Sequence, residues 1–313
     1  MKKGKENLFL ALKGMAMGIA EVIPGVSGGT IAFITGIYET LLESIKAVLG
    51  PDLFRAFGRG GLREVWRSVN GNFLLFLIAG MALGFVAGVF GVSHLLETYP
   101  VLVWAFFFGL IIASAIYIAR QVKSWGLLEW LGMILAIGLA YWITIATPAQ
   151  GTDALWMVFI AGAIAISALI LPGISGSFML LLMGMYTVIF PEVKAALSTF
   201  AADSLIMVAV FALGCLFGLA TFARLLSWTF KNYHNTTLAV LTGFMIGSLN
   251  KIWPWRNVLE TRIDSSGEIV PFLERSVLPG QFEGNPQVSM AILMILSGIL
   301  VVFLLERVDK KIH

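Results

Sequence analysis

The composition of this 313-residue chain identifies a membrane protein. Hydrophobic residues make up 58% of it and charged residues only 12%, against about 45–50% and about 25% in soluble domains. No soluble core of this size could bury so many apolar side chains, so a soluble globular fold is excluded. The net charge of +3 carries little information, because membrane proteins place Lys and Arg by side of the membrane. The single cysteine, Cys215, excludes a disulfide framework.

A repeat relates the two halves of the chain. A shift of 148 positions places residues 14–47 over residues 162–195 with ten identities. These identities cluster at the motif Pro-Gly-x-Ser-Gly, which occurs at Pro24–Gly28 and at Pro172–Gly176. Fainter matches continue downstream, and the segment TPAQGTD supplies turn-forming residues between the halves. We therefore predict two repeats, at residues 1–148 and 149–313.

Each repeat is predicted to hold a helical hairpin followed by three transmembrane helices, which makes the fold an all-α integral membrane protein. The first repeat has the hairpin at 8–49 and helices at about 73–92, 101–119 and 127–146. The second has the hairpin at 154–190 and helices at about 204–223, 237–249 and 290–305. The first hairpin's arms contain charged residues and are shorter than the about 20 apolar residues that a crossing needs. We predict re-entrant hairpins, although two full crossings per hairpin would leave the topology unchanged.

The distribution of basic residues predicts how the repeats are oriented. With re-entrant hairpins, 16 of the 21 Lys and Arg residues face the cytoplasm, as the positive-inside rule requires. The five that remain outside are Lys194, Lys251, Arg256, Arg262 and Arg275. Three crossings per repeat are an odd number, so the second repeat enters the membrane from the opposite face. We expect inverted repeats and cytoplasmic N and C termini.

The two Pro-Gly breaks predict a polar site inside the membrane. Backbone groups left unpaired there cost several kcal/mol each unless protein or a polar cavity satisfies them. Broken helices at matching positions of inverted halves are typical of a transporter binding site near the midplane. Unsatisfied N–H donors and hydroxyls at a resuming helix would suit a phosphate or carboxylate. The alternative is that the small residues only allow close helix packing. The candidate substrate-binding residues are Pro24, Gly25, Ser27, Gly28, Gly29, Thr30, Pro172, Gly173, Ser175, Gly176 and Ser177.

A few charged residues are further candidates. Glu21 directly precedes the first break, where the second repeat has Leu169. A carboxylate at membrane depth costs at least about 2.5 kcal/mol, so Glu21 is a candidate for coupling to a proton or cation. The alternative is that it accepts a hydrogen bond from the broken backbone. Arg224, Arg120 and His94 are candidates for a gate that admits an anionic headgroup, with snorkelling to lipid phosphates as the alternative.

The scattered histidines show no metal-ligand or acid–base spacing, so we expect neither a metal site nor a catalytic site. No cofactor and no nucleic-acid partner are expected. A homo-oligomer is compatible with the sequence.

Three segments resemble the bacterial PopT family of polyprenyl-phosphate translocases across essentially the whole chain. They are EVIPGVSGGTIAFITGIYE, LPGISGSFMLLLMGMY and GFMIGSLNKIWPW. The resemblance implies a multi-pass, non-enzymatic flippase of the bacterial cytoplasmic (inner) membrane. Coupled to an ion, it would recycle undecaprenyl phosphate from the outer to the inner leaflet for peptidoglycan and surface-polymer synthesis. Ser177 and Phe178 stand where the first motif has Gly29 and Thr30, so the two hairpins need not contribute equally.

Two other functions stay open. Undecaprenyl-pyrophosphate phosphatases of the BacA type also have inverted repeats and re-entrant hairpins, with a Pro-Gly-x-Ser-Arg-Ser-Gly motif. This chain has Gly28 and Gly176 where their phosphate-clamping Arg stands, which argues against hydrolysis. A secondary transporter of a small anion would use the same broken helices. The two transport functions differ in whether the site opens laterally to the bilayer.

Overall fold

A computed structural model describes residues 2–23, 25–263 and 269–312 of the chain, which are mostly helical. The first half consists of α1 (Lys2–Glu21), α2 (Gly28–Ile34), α3 (Tyr38–Val48), α4 (Asp52–Ser68), α5 (Gly71–Thr98), α6 (Pro100–Ala119) and α7 (Leu127–Ile145). The second half consists of α8 (Leu155–Ile170), α9 (Gly176–Leu182), α10 (Tyr186–Ser198), α11 (Ala202–Asn232), α12 (His234–Ser248), β1 (Arg256–Ile263), β2 (Ile269–Ser276), a single 3₁₀ turn (Pro279–Gln281) and α13 (Val288–Ile312).

Within these residues, five helices are long and apolar enough to cross a membrane, namely α5, α6, α7, α11 and the 288–307 part of α13. Helices α9 and α10 together could supply a sixth span, although they are bent by 111° and would form a broken span or a re-entrant loop. Helix α12 coincides with the predicted fifth span, but its 15 residues rise only about 22 Å, less than the ~30 Å hydrocarbon core. The chain is therefore a multi-pass membrane protein.

Apart from α4, which has no counterpart in the second half, the two halves contain the same order of helices. Helices α1, α2 and α3 correspond to α8, α9 and α10, and α5, α6 and α7 correspond to α11, α12 and α13. Packing follows this correspondence, because α1 lies against α5 as α8 lies against α11. Helix α6 packs on α13 and α12 packs on α7, so each half contributes its last helix to the other.

Glycines at matching positions allow these helices to pack closely. A Cβ added to any of them would collide with a backbone carbonyl of the facing helix, and small residues of this kind are typical of membrane helix interfaces. They are Gly84 on α5, Gly109 on α6, Gly214 on α11 and Gly243 on α12. The faint downstream part of the sequence repeat is thus a set of shared packing positions.

The prediction of an all-α fold is wrong after α12. The segment after α12 contains β1 and β2, which pair antiparallel with each other. Arg256 lies opposite Ser276, and Ile263 lies opposite Ile269. β-branched residues favour such strands, but two strands of eight residues within a charged segment give only a weak sequence signal.

Candidate functional site

The first helix of each half ends in the same backbone turn. Helices α1 and α2 are separated by residues 22–27, and α8 and α9 by residues 171–175. Gly25 has φ of +85° and Gly173 has φ of +86°, values that glycine adopts without the steric cost of a Cβ. Pro172 is buried, whereas the predicted site residue Pro24 lies outside the described residues. The repeated motif therefore encodes a repeated turn.

The two turns lie in direct contact. The Ser27 hydroxyl donates a hydrogen bond to the Leu169 carbonyl at 3.1 Å. In return, the Gly173 N–H donates to the Thr30 hydroxyl at 3.2 Å. Nearby, the Tyr38 hydroxyl donates to the carbonyl that ends α8 at 3.1 Å, a contact absent from the predicted set. Ser27 and Thr30 are fully buried. Residues far apart in the sequence thus form one polar junction between the halves.

The donors at the start of α2 are already occupied. The Glu21 carboxylate accepts a hydrogen bond from the Gly28 N–H at 2.7 Å. The Ser27 hydroxyl accepts one from the Gly29 N–H at 3.1 Å, and the Thr30 N–H donates to the Ser27 carbonyl at 3.0 Å. The expectation of unsatisfied donors at this helix start is therefore wrong. A carboxylate is favoured at a helix N-terminus, and the turn brings Glu21 back to that position, as the alternative interpretation supposed.

The start of α9 is arranged differently. Ser175 accepts a hydrogen bond from the Phe178 N–H at 3.5 Å, longer than the usual range of about 2.7–3.2 Å and therefore weak. The Ser175 and Ser177 hydroxyls lie 2.9 Å apart, and Ser177 is exposed. With Leu169 in the position of Glu21, this turn carries two hydroxyls and no carboxylate of its own.

Three of the predicted glycines face protein atoms. A Cβ on Gly29 would lie 2.5 Å from the Ile170 carbonyl oxygen, and one on Gly176 would lie 2.5 Å from that of Ala165. A Cβ on Gly28 would lie 2.7 Å from a carboxylate oxygen of Glu21. These glycines allow the turns to pack closely, which is the role that the packing alternative assigned to them.

A small cavity of about 10 Å³ lies between the two turns. Its lining includes Gly25, Gly173, Ser175 and Phe178, together with Lys251 from the segment that follows α12. The alkyl stem of Lys251 packs against the first turn, since a Cβ on Gly25 would lie 3.1 Å from the lysine Cγ. The Lys251 ammonium lies 4.5 Å from the centre of the Phe178 ring.

Lys251 was predicted to be an outward basic residue and lies in the segment GFMIGSLNKIWPW, but it was not predicted to belong to the site. It is, however, the one charged residue between 235 and 255 in the sequence, a signal that could have drawn attention to it.

Lys251 belongs to a buried charge cluster. The Glu274 carboxylate on β2 lies 2.9 Å from the Arg256 guanidinium and 3.7 Å from the Lys251 ammonium. The guanidinium also lies 4.4 Å from the centre of the Trp104 ring. Lys251, Glu274 and Arg256 lie outside the membrane-spanning helices. Burial lowers the pKa of the Lys251 ammonium, and the Arg256 charge adds to this effect, whereas Glu274 opposes it. Burial likewise lowers the pKa of Arg256 against the opposing effect of Glu274.

The three candidate gate residues lie at different places. Arg224 donates a hydrogen bond to the Leu49 carbonyl at 2.6 Å and so caps the end of α3. His94 lies one turn before the end of α5, and Arg120 follows the last residue of α6. The 20 residues of α6 rise about 30 Å along the helix axis. A gating role for any of the three stays a prediction.

Comparisons with known proteins place the chain in a family. A family described as undecaprenyl phosphate translocase-like matches residues 17–270. A polyprenyl-phosphate transporter of Vibrio cholerae serotype O1 is 45% identical over 98% of this chain and 99% of its own length. A polyprenyl-phosphate transporter of Staphylococcus aureus is 32% identical over 78% of this chain and 85% of its own length. No solved structure gave a significant match. This chain therefore belongs to the undecaprenyl phosphate translocase-like family.

Proposed function

We propose that this chain translocates a polyprenyl phosphate, specifically undecaprenyl phosphate, from the outer to the inner leaflet of the bacterial cytoplasmic membrane. Both relatives are named polyprenyl-phosphate transporters and cover most of the chain. The observation that carries the proposal is the junction of the two broken helices, joined by the hydrogen bonds from Ser27 to Leu169 and from Gly173 to Thr30. Broken helices that meet between two repeats are typical of secondary transporter sites.

The proposed topology has two inverted repeats, at residues 1–148 and 149–313, with re-entrant hairpins and cytoplasmic termini. The matched order of helices supports the repeats. The 111° bend between α9 and α10 is compatible with a hairpin that returns to its own side. An excess of basic residues in the proposed cytoplasmic segments supports the orientation.

Within this topology, the two turns are proposed to form the site for the phosphate headgroup. The first turn is the rigid side, because Glu21 and Ser27 already hold the start of α2. The second turn is the side that can accept hydrogen bonds from, or donate them to, a ligand, since Ser177 is exposed next to Ser175. Glu21 is the proposed coupling residue for a proton or cation, since it is the acidic residue closest to the junction in the sequence.

The test is a leaflet-exchange assay in liposomes that contain the purified protein and fluorescent undecaprenyl phosphate. We expect faster exchange than in protein-free vesicles, and faster than with the uncharged alcohol undecaprenol as cargo. An exchange rate equal to that of empty vesicles would overturn the proposal.

The same preparation tests the two alternative functions. We propose that the chain is not an enzyme, because Gly28 and Gly176 occupy the positions of the phosphatases' Arg. Steady release of phosphate from undecaprenyl pyrophosphate would contradict this. Uptake of radioactive inorganic phosphate into the vesicles, without lipid exchange, would instead favour a small-anion transporter.

A further inference from the structure

A lysine outside the predicted site reaches both broken helices. The segment that follows α12 packs its Lys251 stem on Gly25 of the first turn, and Ser248, at the end of α12, packs on Gly173 of the second. Lys251 and Ser248 line the same cavity as both glycines and Ser175. The end of α12 and the segment after it therefore contact both turns, and they share the lining of this cavity with Ala140, Ile143 and Thr144 of α7.

The Lys251 ammonium is only loosely paired. Its distance to the Glu274 carboxylate is 3.7 Å, longer than a direct hydrogen bond. The same carboxylate oxygen lies 2.9 Å from Arg256, whose side chain is only 7% exposed. Because one carboxylate serves two cations, these three side chains carry a formal net charge of +1, and Lys251 is the cation farther from the carboxylate.

The Arg256 side chain is buried and held in place by two contacts. Its guanidinium stacks on Trp104 and bonds Glu274, while its Nε is buried without a hydrogen-bond partner among the described residues. Glu274 is thereby held beside Lys251. The lysine, with a flexible four-carbon stem and a compact charge, is the member of the cluster that can move toward an anion.

We propose that Lys251 binds the phosphate of the translocated lipid at the junction of the two turns, with Glu274 and Arg256 positioning it before the lipid arrives. This rests on the proposed function and adds to it the cation that the two motifs lack. The turns themselves offer hydroxyls and the negative charge of Glu21, so an anionic headgroup needs a compensating positive charge there. The cavity of about 10 Å³ has room for about one water, so the Lys251 and Phe178 side chains move aside when the phosphate enters.

The test measures binding by the purified full-length protein of farnesyl phosphate, a short soluble analogue, and of farnesol, its uncharged counterpart. Lys251→Met is expected to weaken binding of farnesyl phosphate about tenfold or more, the effect of losing one charge-assisted hydrogen bond. Binding of farnesol should stay unchanged. Lys251→Arg should restore most of the difference. Lys194→Met removes an exposed lysine of the second half and is the matched control, with wild-type binding expected.

The outcomes separate this inference from the proposed function. Lipid exchange by the wild type together with unchanged farnesyl phosphate binding by Lys251→Met would overturn the role of Lys251 and leave the function standing. Equal loss of farnesol and farnesyl phosphate binding would also overturn it, since that indicates a structural role. If Lys251→Met does not fold, Lys251→Gln, which keeps a polar end, decides the same question. Competition by inorganic phosphate as strong as that by farnesyl phosphate would assign Lys251 to a free anion and contradict the lipid headgroup.

Discussion

The two Pro-Gly turns have nearly the same backbone and different surroundings. Gly25 and Gly173 differ in φ by only one degree, +85° against +86°. The first turn is held by the Glu21 carboxylate and the Ser27 hydroxyl, which satisfy the start of α2. The second has no carboxylate and an exposed hydroxyl. The two turns thus share their glycine conformation, while the side chains around them differ.

Substitution of either turn glycine by alanine should destabilise the protein, and the loss of stability should be larger at the second turn. A Cβ at Gly173 would lie 3.0 Å from the Met245 Cα, in the backbone of α12, whereas one at Gly25 would meet the movable Lys251 stem. We expect Gly173→Ala to cost about 2–4 kcal/mol and Gly25→Ala about 1–2 kcal/mol, the sum of left-handed strain and overpacking. Thermal unfolding in detergent measures both. Equal losses would mean that the two environments restrain the turns alike.

Loss of the hydrogen bond from the Gly173 N–H to Thr30 is predicted to have the next largest effect on stability. Thr30→Val keeps the shape of the side chain but leaves the buried Gly173 N–H without its acceptor. An unsatisfied buried donor costs about 1–3 kcal/mol, and the same thermal measurement would detect it. Thr187→Val, at an exposed threonine on α10, is the matched control and should change stability by less than about 0.5 kcal/mol. A Thr30→Val protein as stable as the wild type would show that the hydrogen bond from Gly173 to Thr30 does not help to hold the junction.

Much of this arrangement could be predicted from the sequence, because it is local. The motif fixes the helix breaks, the N-cap serines and the positive φ of its glycine, all of which depend on neighbouring residues. The matched glycines of α5 and α11 also follow from the repeat. Gly36 and Gly184, both at φ of +70°, mark the end of α2 and of α9, and their identity in the repeat was a signal for that second break.

Other parts of the site could not be predicted in this way. Whether Glu21 binds an ion or caps α2 depends on how sharply the chain reverses between Glu21 and Gly28. The number of residues between them does not specify this. The position of Lys251 depends on where α12 ends relative to the first turn, which lies more than 200 residues earlier in the chain. That relation is set by tertiary packing. The strands β1 and β2 are stabilised by pairing with each other, so neither has a strong strand pattern in its own sequence.

The Glu21 carboxylate of the first turn, which has no equivalent in the second turn, gives the next prediction. Glu21→Gln retains an oxygen that can accept from the Gly28 N–H, so stability should fall by no more than about 1 kcal/mol. If Glu21 carries the coupling ion, exchange of undecaprenyl phosphate should slow several-fold and lose its dependence on pH. Leu169→Gln places the same amide at the equivalent position of the second turn, where no carboxylate is lost, and should leave the pH profile intact. Wild-type exchange by Glu21→Gln at every pH would limit Glu21 to its capping role.

The smallest expected effect tests whether the second turn of the junction contacts the substrate. Ser177 is exposed and its hydroxyl bonds only that of Ser175 among the described residues, so Ser177→Ala should alter stability by less than about 0.5 kcal/mol. Loss of one neutral hydrogen bond to the headgroup would nevertheless weaken substrate binding about fivefold. The readout is the half-saturating concentration of undecaprenyl phosphate in the exchange assay, with the exposed Ser198→Ala as control. A change in stability without a change in half-saturation would place Ser177 in the protein's own packing and leave the second turn without a direct contact to the lipid.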